Sequence, residues 1–288
     1  MITVGRFQIA SVINGRFGLD GGAMFGVVPK VLWERKAKPD DQNRIPLAMR
    51  TLVAVDAEAG RVILVDTGAG HKWPADEADR FAINPDPTAL GQALAVRGLT
   101  EADVTDVVIT HLHFDHNGGL TEWAEGSATS TRLRFPRARH WIHEKHWQHA
   151  NSPAEKDRAS FLKRDLEALA DPEVLTLVTG EQPDPPFVGL HWQLSHGHTP
   201  YQLLPVFEGT DGDLLFVGDM IPTANHLPVP WVMAYDLEPL VTMAEKTRTL
   251  GRCGRNGLAL AFPHDPDLGG VTVELIEKKP IIKQRLDL

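Results

Sequence analysis

The chain carries the stretch Thr110-His111-Leu112-His113-Phe114-Asp115-His116-Asn117-Gly118-Gly119. It follows an apolar run at residues 107–109, which predicts a buried strand bounded by turn residues. Three imidazoles and one carboxylate fall within six residues of it, and both ligand types suit zinc, manganese or iron. An extended strand would point alternate side chains to opposite faces, so these groups can share a site only from a loop at the strand end. Gly118 and Gly119 would give that loop the freedom to turn.

Further side chains of the metal-binding type follow later apolar segments. A loop punctuated by glycine and proline carries His196 and His198, and two apolar strands end at Asp219 and at His264. One such residue alone is usually a turn residue or a helix cap. Three strand ends together with a histidine loop favour convergence on one site over a histidine-rich surface loop. His196 is interpreted as an ordinary loop histidine, and the second histidine-rich stretch, residues 140–149, as structural or surface.

Over residues 52–265 the chain resembles the metallo-β-lactamase superfamily, whose diagnostic run His-x-His-x-Asp-His is present here without substitution. The resemblance implies a first metal site of His111, His113 and His198, a second of Asp115, His116 and His264, and Asp219 as a bridge between them. It also implies that Asp115 or Asp219 carries a proton to the leaving group. Asp66, in the run Asp66-Thr67-Gly68, would orient a ligand histidine through its free ring nitrogen.

The fold class expected is α/β. Strands that precede helices, with candidate ligands at strand ends, indicate an α/β domain. The resemblance sharpens this to the αβ/βα four-layer sandwich, in which two mixed sheets pack face to face with helices outside. We expect one domain over residues 1–288, with a metal-binding core at about 52–265. Residues 1–50 would supply strands and a loop beside the pocket.

The closer resemblance is to the branch that contains the N-acyl-homoserine lactonases and the methyl parathion hydrolases. The metal-binding run is very similar to the lactonase version, whereas Gly218-Asp219-Met220-Ile221-Pro222 is more similar to the phosphotriesterase side. The lactonases carry a tyrosine three residues after the bridging aspartate, where it contacts the substrate carbonyl. This chain has Pro222 there, and its only tyrosines are Tyr201 and Tyr235. Either another group polarises the carbonyl, or lactones are not the main substrate.

The resemblance therefore implies a dinuclear metal-dependent hydrolase that uses a metal-bridging hydroxide on lactones or related esters. The cofactors would be two divalent cations, most simply Zn²⁺, with Mn, Co or Fe left open. A phosphotriesterase or arylesterase of the methyl parathion hydrolase type is the first alternative. An iron-dependent oxidoreductase of the same superfamily and a non-catalytic binding protein with a degenerate site are further alternatives.

Local patterns predict the remaining elements. Strands are expected at residues 50–55, 61–65, 105–110, 138–143, 201–207 and 213–217, and helices at 87–97, 153–170 and 237–250. The glycine-rich run at residues 17–26 is interpreted as a loop or hairpin beside the pocket. The candidate pocket wall consists of Met24, Phe25, Pro222, Trp231 and Met233.

Composition narrows the partners and the compartment. The 288 residues carry a formal net charge of −9, which argues against a broad nucleic-acid surface. The single cysteine, Cys253, allows no internal disulfide. We see neither a signal peptide nor an apolar run long enough for a membrane span, so the expected location is the cytoplasm and no membrane partner is expected. The expected partner is a small ester or lactone substrate. The oligomeric state is open, with a homodimer as one alternative.

Overall fold

A computed structural model describes residues 1–171 and 173–288. Its largest sheet has eight strands, with the order β1-β2-β3-β4-β6-β9-β10 and β5 paired to β2. Their bounds are β1 Ile2–Val4, β2 Phe7–Asp20, β3 Arg44–Asp56, β4 Arg61–Val65, β5 Asn84–Pro85, β6 Asp106–Val108, β9 Arg139–His143 and β10 Leu175–Val178. The strands β4, β6, β9 and β10 run parallel, whereas β1 to β4 are joined antiparallel.

The second sheet has six strands in chain order, and a small separate sheet pairs β7 with β8. Their bounds are β7 Thr121–Trp123, β8 Thr131–Leu133, β11 Leu190–Ser195, β12 Gln202–Phe207, β13 Leu214–Phe216, β14 Ala259–Ala261, β15 Gly270–Ile276 and β16 Lys279–Leu286. Within the six-stranded sheet, β13 and β14 are parallel and the other neighbouring strands are antiparallel. Every residue of β12 is buried, because this strand lies inside the sheet with both faces covered.

The helices are mostly short. Their bounds are α1 Gly21–Phe25, α2 Lys30–Trp33, α3 Ala75–Arg80, α4 Ala89–Ala95, α5 Phe114–Asn117, α6 Glu144–Asn151, α7 Lys163–Leu166 and α8 Pro239–Asn256. Among the described residues α8 is the longest, and it ends at Gly257, whose φ of 69° is the left-handed conformation that glycine adopts without strain. No helix in the described part of the chain is both long and apolar enough to cross a bilayer.

Three apolar clusters define the layers. One lies between the two sheets, where the rings of Phe7 and Phe207 meet edge to face at 5.2 Å. A second covers the outer face of the large sheet with side chains that include Leu90 and Leu94 of α4. A third joins the outer face of the second sheet to Leu250 of α8. The order helix, sheet, sheet, helix confirms the predicted αβ/βα four-layer sandwich.

Most predicted elements are present, and three predictions were wrong. The strands at 50–55, 61–65, 105–110 and 138–143 are confirmed as parts of β3, β4, β6 and β9, and residues 201–217 form the antiparallel pair β12–β13. The predicted helix at 87–97 is the shorter α4. The predicted end of α8 near Gly251 was wrong, because this helix continues to Asn256.

The clearest error concerns residues 153–170, which are not one amphipathic helix. They contain a 3-10 turn at Arg158–Ser160, the short helix α7 and a second 3-10 turn at Glu167–Leu169. Tertiary contacts dominate here: Asp157 accepts a hydrogen bond from His149 at 2.6 Å, and the Phe161 ring packs on His113 at 4.8 Å. Helical spacing of apolar residues was a weaker influence than these contacts.

The glycine-rich run at residues 17–26 also differs from the predicted loop or hairpin. The strand β2 continues to Asp20, and the Asp20 side chain then accepts a hydrogen bond from Ala23 N at 2.8 Å. That contact caps the first turn of α1. The segment thus passes directly from the large sheet into a helix whose Met24 and Phe25 are buried.

Candidate metal centre

Four strand ends and one loop bring the predicted ligands together. The stretch from His111 to His116 follows β6, and Asp66 follows the neighbouring parallel strand β4. In the second sheet Asp219 follows β13, His264 follows the parallel β14, and His198 follows β11. The ends of parallel neighbours meet at one edge of a sheet, and the two sheets face each other, so all these side chains converge.

The glycines after the histidine run serve a purpose that the sequence did not reveal. Gly118 has an ordinary φ of −58°, so its role is not a special turn conformation. A Cβ on Gly118 would lie 2.3 Å from Ala69 O, and one on Gly119 would lie 2.3 Å from Thr67 O. The loop after β4 therefore packs directly on the backbone after α5, and this close approach requires glycine.

The ligand candidates form two buried groups. His111, His113 and His198 make the first, and Asp115, His116, Asp219 and His264 make the second; within each group the ligand atoms lie within 4.8 Å of one another. All seven are buried, but His113, Asp115 and Asp219 keep 5%, 8% and 6% of their surface exposed. These three therefore mark the side on which the site opens.

Asp219 lies between the two groups. Its Oδ2 is 3.4 Å from His198 Nε2 in the first group. Its Oδ1 is 3.3 Å from His116 Nε2 and 3.2 Å from His264 Nε2 in the second. One carboxylate thus presents one oxygen to each group, which is the arrangement that a shared ligand requires.

The hydrogen bonds behind the histidines determine which ring nitrogen faces the site. The Nδ1 of His116 donates to Asp66 Oδ2 at 2.8 Å, and the Nδ1 of His264 donates to the carbonyl oxygen of Ala48 at 2.8 Å. In the neutral form each ring therefore carries its lone pair on Nε2, and these two nitrogens face each other at 3.0 Å. Two lone pairs at this distance repel unless a cation lies near them, so the donor set fits a metal ion.

The first group has the same design. The Nδ1 of His198 donates to Asp236 Oδ1 at 3.1 Å, while its Nε2 approaches His113 Nδ1 at 3.0 Å. The Nε2 of His111 has no hydrogen-bond partner among residues 1–171 and 173–288, although it is fully buried. A buried ring nitrogen without a partner is costly unless a ligand satisfies it.

The pKa shifts of the ligand candidates also fit a bound metal ion. Burial lowers the pKa of His111 and of His113 well below its usual value, so both rings stay neutral. Burial also lowers the pKa of His116, but the charges of Asp219 and Asp115 outweigh it and raise that pKa well above its usual value. Burial raises the pKa of Asp219, yet the charges of His264 and His116 lower it well below its usual value. The pocket therefore stabilises positive charge beside an ionised carboxylate. These histidine and aspartate groups imply divalent cations.

Asp66 occupies the position predicted for it, behind the second group. Besides His116 Nδ1, it accepts hydrogen bonds from Thr110 N and Thr110 Oγ1, each at 2.8 Å. Its own φ of 55° is unusual for a residue other than glycine. Such strain persists where the surroundings over-determine it, as the three hydrogen bonds to this carboxylate do.

Two supporting residues were missed by sequence reasoning. Asp236 orients His198, but in the sequence it stands alone before α8, where an aspartate is ordinarily a helix cap. His146 accepts a hydrogen bond from Leu112 N at 2.8 Å and donates to Pro200 O at 2.7 Å, so it joins the two histidine loops. The structural interpretation of the 140–149 stretch is consistent with this contact. His196 accepts from Tyr201 N, as an ordinary loop histidine does.

The predicted pocket wall is only partly accessible. Met24 and Phe25 are 1% and 0% exposed, and Met233 is 3% exposed, so they pack behind the site and offer no surface to a dissolved substrate. Pro222 is buried, whereas Trp231 is half-buried and lines a cavity of about 990 Å³ whose lining includes none of the seven ligand candidates. The burial of Met24 and Phe25 does not support their predicted role as a wall.

Aromatic side chains that were not part of the predicted pocket wall lie beside the ligand groups. Phe161 packs edge to face on His113, and Phe114 packs against Trp73 at 5.1 Å. Tyr235 is half-buried in the same apolar cluster as Phe114 and Leu162. Their signal was absent from the sequence because they come from three separate segments.

The family model of the metallo-beta-lactamase superfamily matches residues 51–280. With the fold and the ligand geometry described above, the chain belongs to the metallo-β-lactamase superfamily. This finding confirms the family and the fold expected from the His-x-His-x-Asp-His run.

Several individual proteins are similar to this chain in sequence or in fold. N-acyl homoserine lactonase AttM of Azorhizobium caulinodans is 27% identical over 182 residues, which are 59% of this chain and 61% of that protein. A crystal structure of a probable metal-dependent hydrolase from Staphylococcus aureus is 26% identical, with a TM-score of 0.88 over 99% of this chain and 98% of that one. AidC, a dizinc quorum-quenching lactonase, has a TM-score of 0.77 at 18% identity, covering 99% of this chain and 97% of its own.

Proposed function

We propose that the chain is a dinuclear metal-dependent hydrolase of lactones or related esters, similar to the N-acyl-homoserine lactonases. The observation that carries this proposal is Asp219, whose two oxygens face two separate ligand groups at 3.2 to 3.4 Å. In this proposal His111, His113 and His198 hold one cation, Asp115, His116 and His264 hold the other, and Asp219 bridges them. Zinc fits the histidine and carboxylate ligands, and the chain would act as one domain over residues 1–288 in the cytoplasm.

Two divalent cations held there would supply a hydroxide at neutral pH and polarise the scissile carbonyl or phosphoryl oxygen. The protein supplies orientation: Asp66, Asp236 and the carbonyl of Ala48 each fix one ligand ring through its outer nitrogen. In net terms, water adds to the acyl carbon, the bond to the ring oxygen breaks, and that oxygen receives the proton. Asp115 and Asp219 are the carboxylates at the open side, so either can hold this proton in transit.

The opening favours a substrate with an apolar portion. Phe161 packs on His113, Tyr235 packs in the cluster that contains Phe114, and both are only partly buried, so they present aromatic surface beside the ligand groups. An acyl chain or an aryl group would bury apolar area there, which stabilises the complex by about 25 cal/mol per Å². The names of AttM and AidC, both N-acyl-homoserine or quorum-quenching lactonases, favour the acyl chain.

A phosphotriesterase or arylesterase is the second candidate, and one observation favours it. Pro222 stands three residues after Asp219 and has no side-chain donor for a lactone carbonyl. Hydrolase AbOPH of the β-lactamase superfamily has a similar fold, with a TM-score of 0.76 at 17% identity. Both candidates use the same metal centre and differ only in the group that is cleaved.

Proton release from a long-chain N-acyl-homoserine lactone tests the proposal. The zinc-loaded wild-type protein should release one proton per lactone opened, and the Asp219→Asn variant should release essentially none. The variant keeps the volume of the side chain but lacks the charge that the shared position requires. Near-normal turnover by Asp219→Asn would contradict the shared-ligand mechanism. An inactive wild-type protein that hydrolyses an aryl phosphotriester would instead select the second candidate.

A further inference from the structure

The site described so far lacks a side-chain donor for the substrate oxygen. Pro222 supplies none, and the hydroxyl of the neighbouring Thr223 is paired with His226 Nδ1 at 2.8 Å. The Tyr201 hydroxyl lies in an exposed cluster, where it bonds to Lys145 Nζ and Glu181 Oε1, each at 2.7 Å. None of these groups is free to contact a substrate.

The remaining tyrosine differs in each of these respects. The Tyr235 ring packs against the apolar cluster that contains Phe114 and Phe17. Phe114 directly precedes Asp115 in the sequence, and the Phe17 ring packs edge to face on His264. Its hydroxyl makes no hydrogen bond with any of the described residues, 1–171 and 173–288. The Tyr235 oxygen is not one of the buried unpaired side-chain atoms of this part of the chain, so it is reachable from solvent and available to a ligand.

The backbone around Tyr235 is held in place from both sides. Ala234 N donates to Ala23 O at 2.8 Å, and Leu237 N donates to His198 O at 3.1 Å. The adjacent Asp236 carboxylate accepts from His198 Nδ1. The tyrosine is therefore attached to the same short segment that orients a ligand histidine, which keeps its position relative to the metal centre constant.

We propose that the Tyr235 hydroxyl donates a hydrogen bond to the carbonyl oxygen of the bound lactone or ester, and so fulfils the role for which Pro222 has no side chain. This inference rests on the proposed function. The O–H bond stays intact, so the step requires no proton acceptor, and the hydrogen bond strengthens as negative charge develops on the oxygen.

The state of the phenol is consistent with a donor. Burial raises the pKa of Tyr235 to about 12, with further contributions from the charges of Asp20 and Asp115. The hydroxyl therefore keeps its proton throughout the neutral range.

The Tyr235→Phe variant tests this assignment, with Tyr201→Phe as the matched control. Both remove one phenolic hydroxyl, but the control hydroxyl is engaged with Lys145 and Glu181 away from the site. For a long-chain N-acyl-homoserine lactone, kcat of the zinc-loaded Tyr235→Phe protein should fall by about 100- to 1,000-fold, as for other oxyanion donors, while KM changes little. Zinc content and melting temperature should match those of the wild type. Tyr201→Phe should keep the wild-type kcat.

A binding measurement provides a readout that does not depend on turnover. The calorimetric Kd of the ring-opened product, N-hexanoyl-homoserine, should rise about 10-fold or more in Tyr235→Phe, because a hydrogen bond to a charged oxygen is lost. Wild-type kcat and Kd in Tyr235→Phe would overturn the donor role alone. Loss of zinc or of thermal stability in that variant would overturn it in favour of packing. A wild-type protein that neither hydrolyses the lactone nor binds its product would overturn the proposed function together with this inference.

Discussion

Replacing Lys72 by methionine should destabilise the protein severely, because it leaves a buried carboxylate without its partner. Lys72 Nζ lies 3.1 Å from Asp165 Oδ1, and the two side chains are 1% and 2% exposed. The same ammonium group donates to the carbonyl oxygens of Gly118 and Thr121, so all three of its protons are used. The Gly118 carbonyl belongs to the loop after the ligand helix α5, so this contact also supports the metal centre.

Two opposing contributions determine how much stability the protein loses when Lys72 is replaced. At 3.1 Å and an effective dielectric constant of about 20, the attraction between the two charges is about 5 kcal/mol. Burial opposes it: it lowers the pKa of Lys72 and raises the pKa of Asp165, so both neutral forms are favoured by the surroundings. The intact pair therefore adds little net stability, but loss of one member costs about 3–5 kcal/mol. Two carbonyl oxygens also lose their donor in Lys72→Met.

Urea unfolding of the zinc-loaded protein, followed by circular dichroism, measures this cost. The free energy of unfolding should fall by about 3–5 kcal/mol in Lys72→Met, with an unchanged m-value. The double variant Lys72→Met/Asp165→Leu should recover much of the loss, because no unpaired charge remains. Lys163→Met, which removes the exposed pair with Glu167 at 3.6 Å, is the control and should have no measurable effect. A loss below about 1 kcal/mol in Lys72→Met would refute this assignment of a fully buried, fully paired ammonium group.

Three further predictions concern the centre and its surroundings. Asp66→Asn should weaken zinc binding by about 10- to 100-fold in a competition titration with a chromophoric chelator, because His116 loses the carboxylate that orients it; an unchanged affinity would contradict that role. Burial lowers the pKa of His226 to about 3, so the stability that depends on its neutral ring is complete above pH 6.5 and is lost as the pH falls. His226→Phe should therefore be less stable than the wild type at pH 7, and the difference in unfolding free energy should shrink by about 1–2 kcal/mol at pH 5, whereas a constant difference would argue against a neutral buried ring. Chelation of zinc should lower the melting temperature and remove about 3–4 kcal/mol of stability relative to free zinc at 100 to 1,000 times its Kd, and identical melting curves would count against a preformed metal site.

The site was more predictable from the sequence than its surroundings. Four of the seven ligand candidates lie within residues 111–116, and Asp219 and His264 each follow an apolar strand. A residue at the end of an apolar strand can be recognised from the local sequence, and a recurrent topology brings such strand ends together. The linear pattern is therefore enough to predict the ligand candidates. The structure places Asp219 between the two groups as the pattern predicted, and its role as a metal ligand stays a prediction until a metal is measured.

The opening could not be predicted, because its residues have no common local pattern. Phe161 lies in a segment with helical spacing, yet Asp157 and Asp165 are held by His149 and Lys72, and these distant contacts prevent a continuous helix. Met24 and Phe25 stand next to glycines that suggested a pocket loop, but the stacking of Phe25 on His226 at 4.7 Å places them in the core. Long-range packing of this kind is invisible to periodicity.

A zinc titration of the metal-free protein, with lactone hydrolysis followed by proton release, tests the central claim most directly. We expect activity to rise with added zinc and to reach its plateau at two equivalents per chain, because both ligand groups and the Asp219 between them are needed. A plateau at one equivalent, or hydrolysis that is independent of zinc, would contradict the claim.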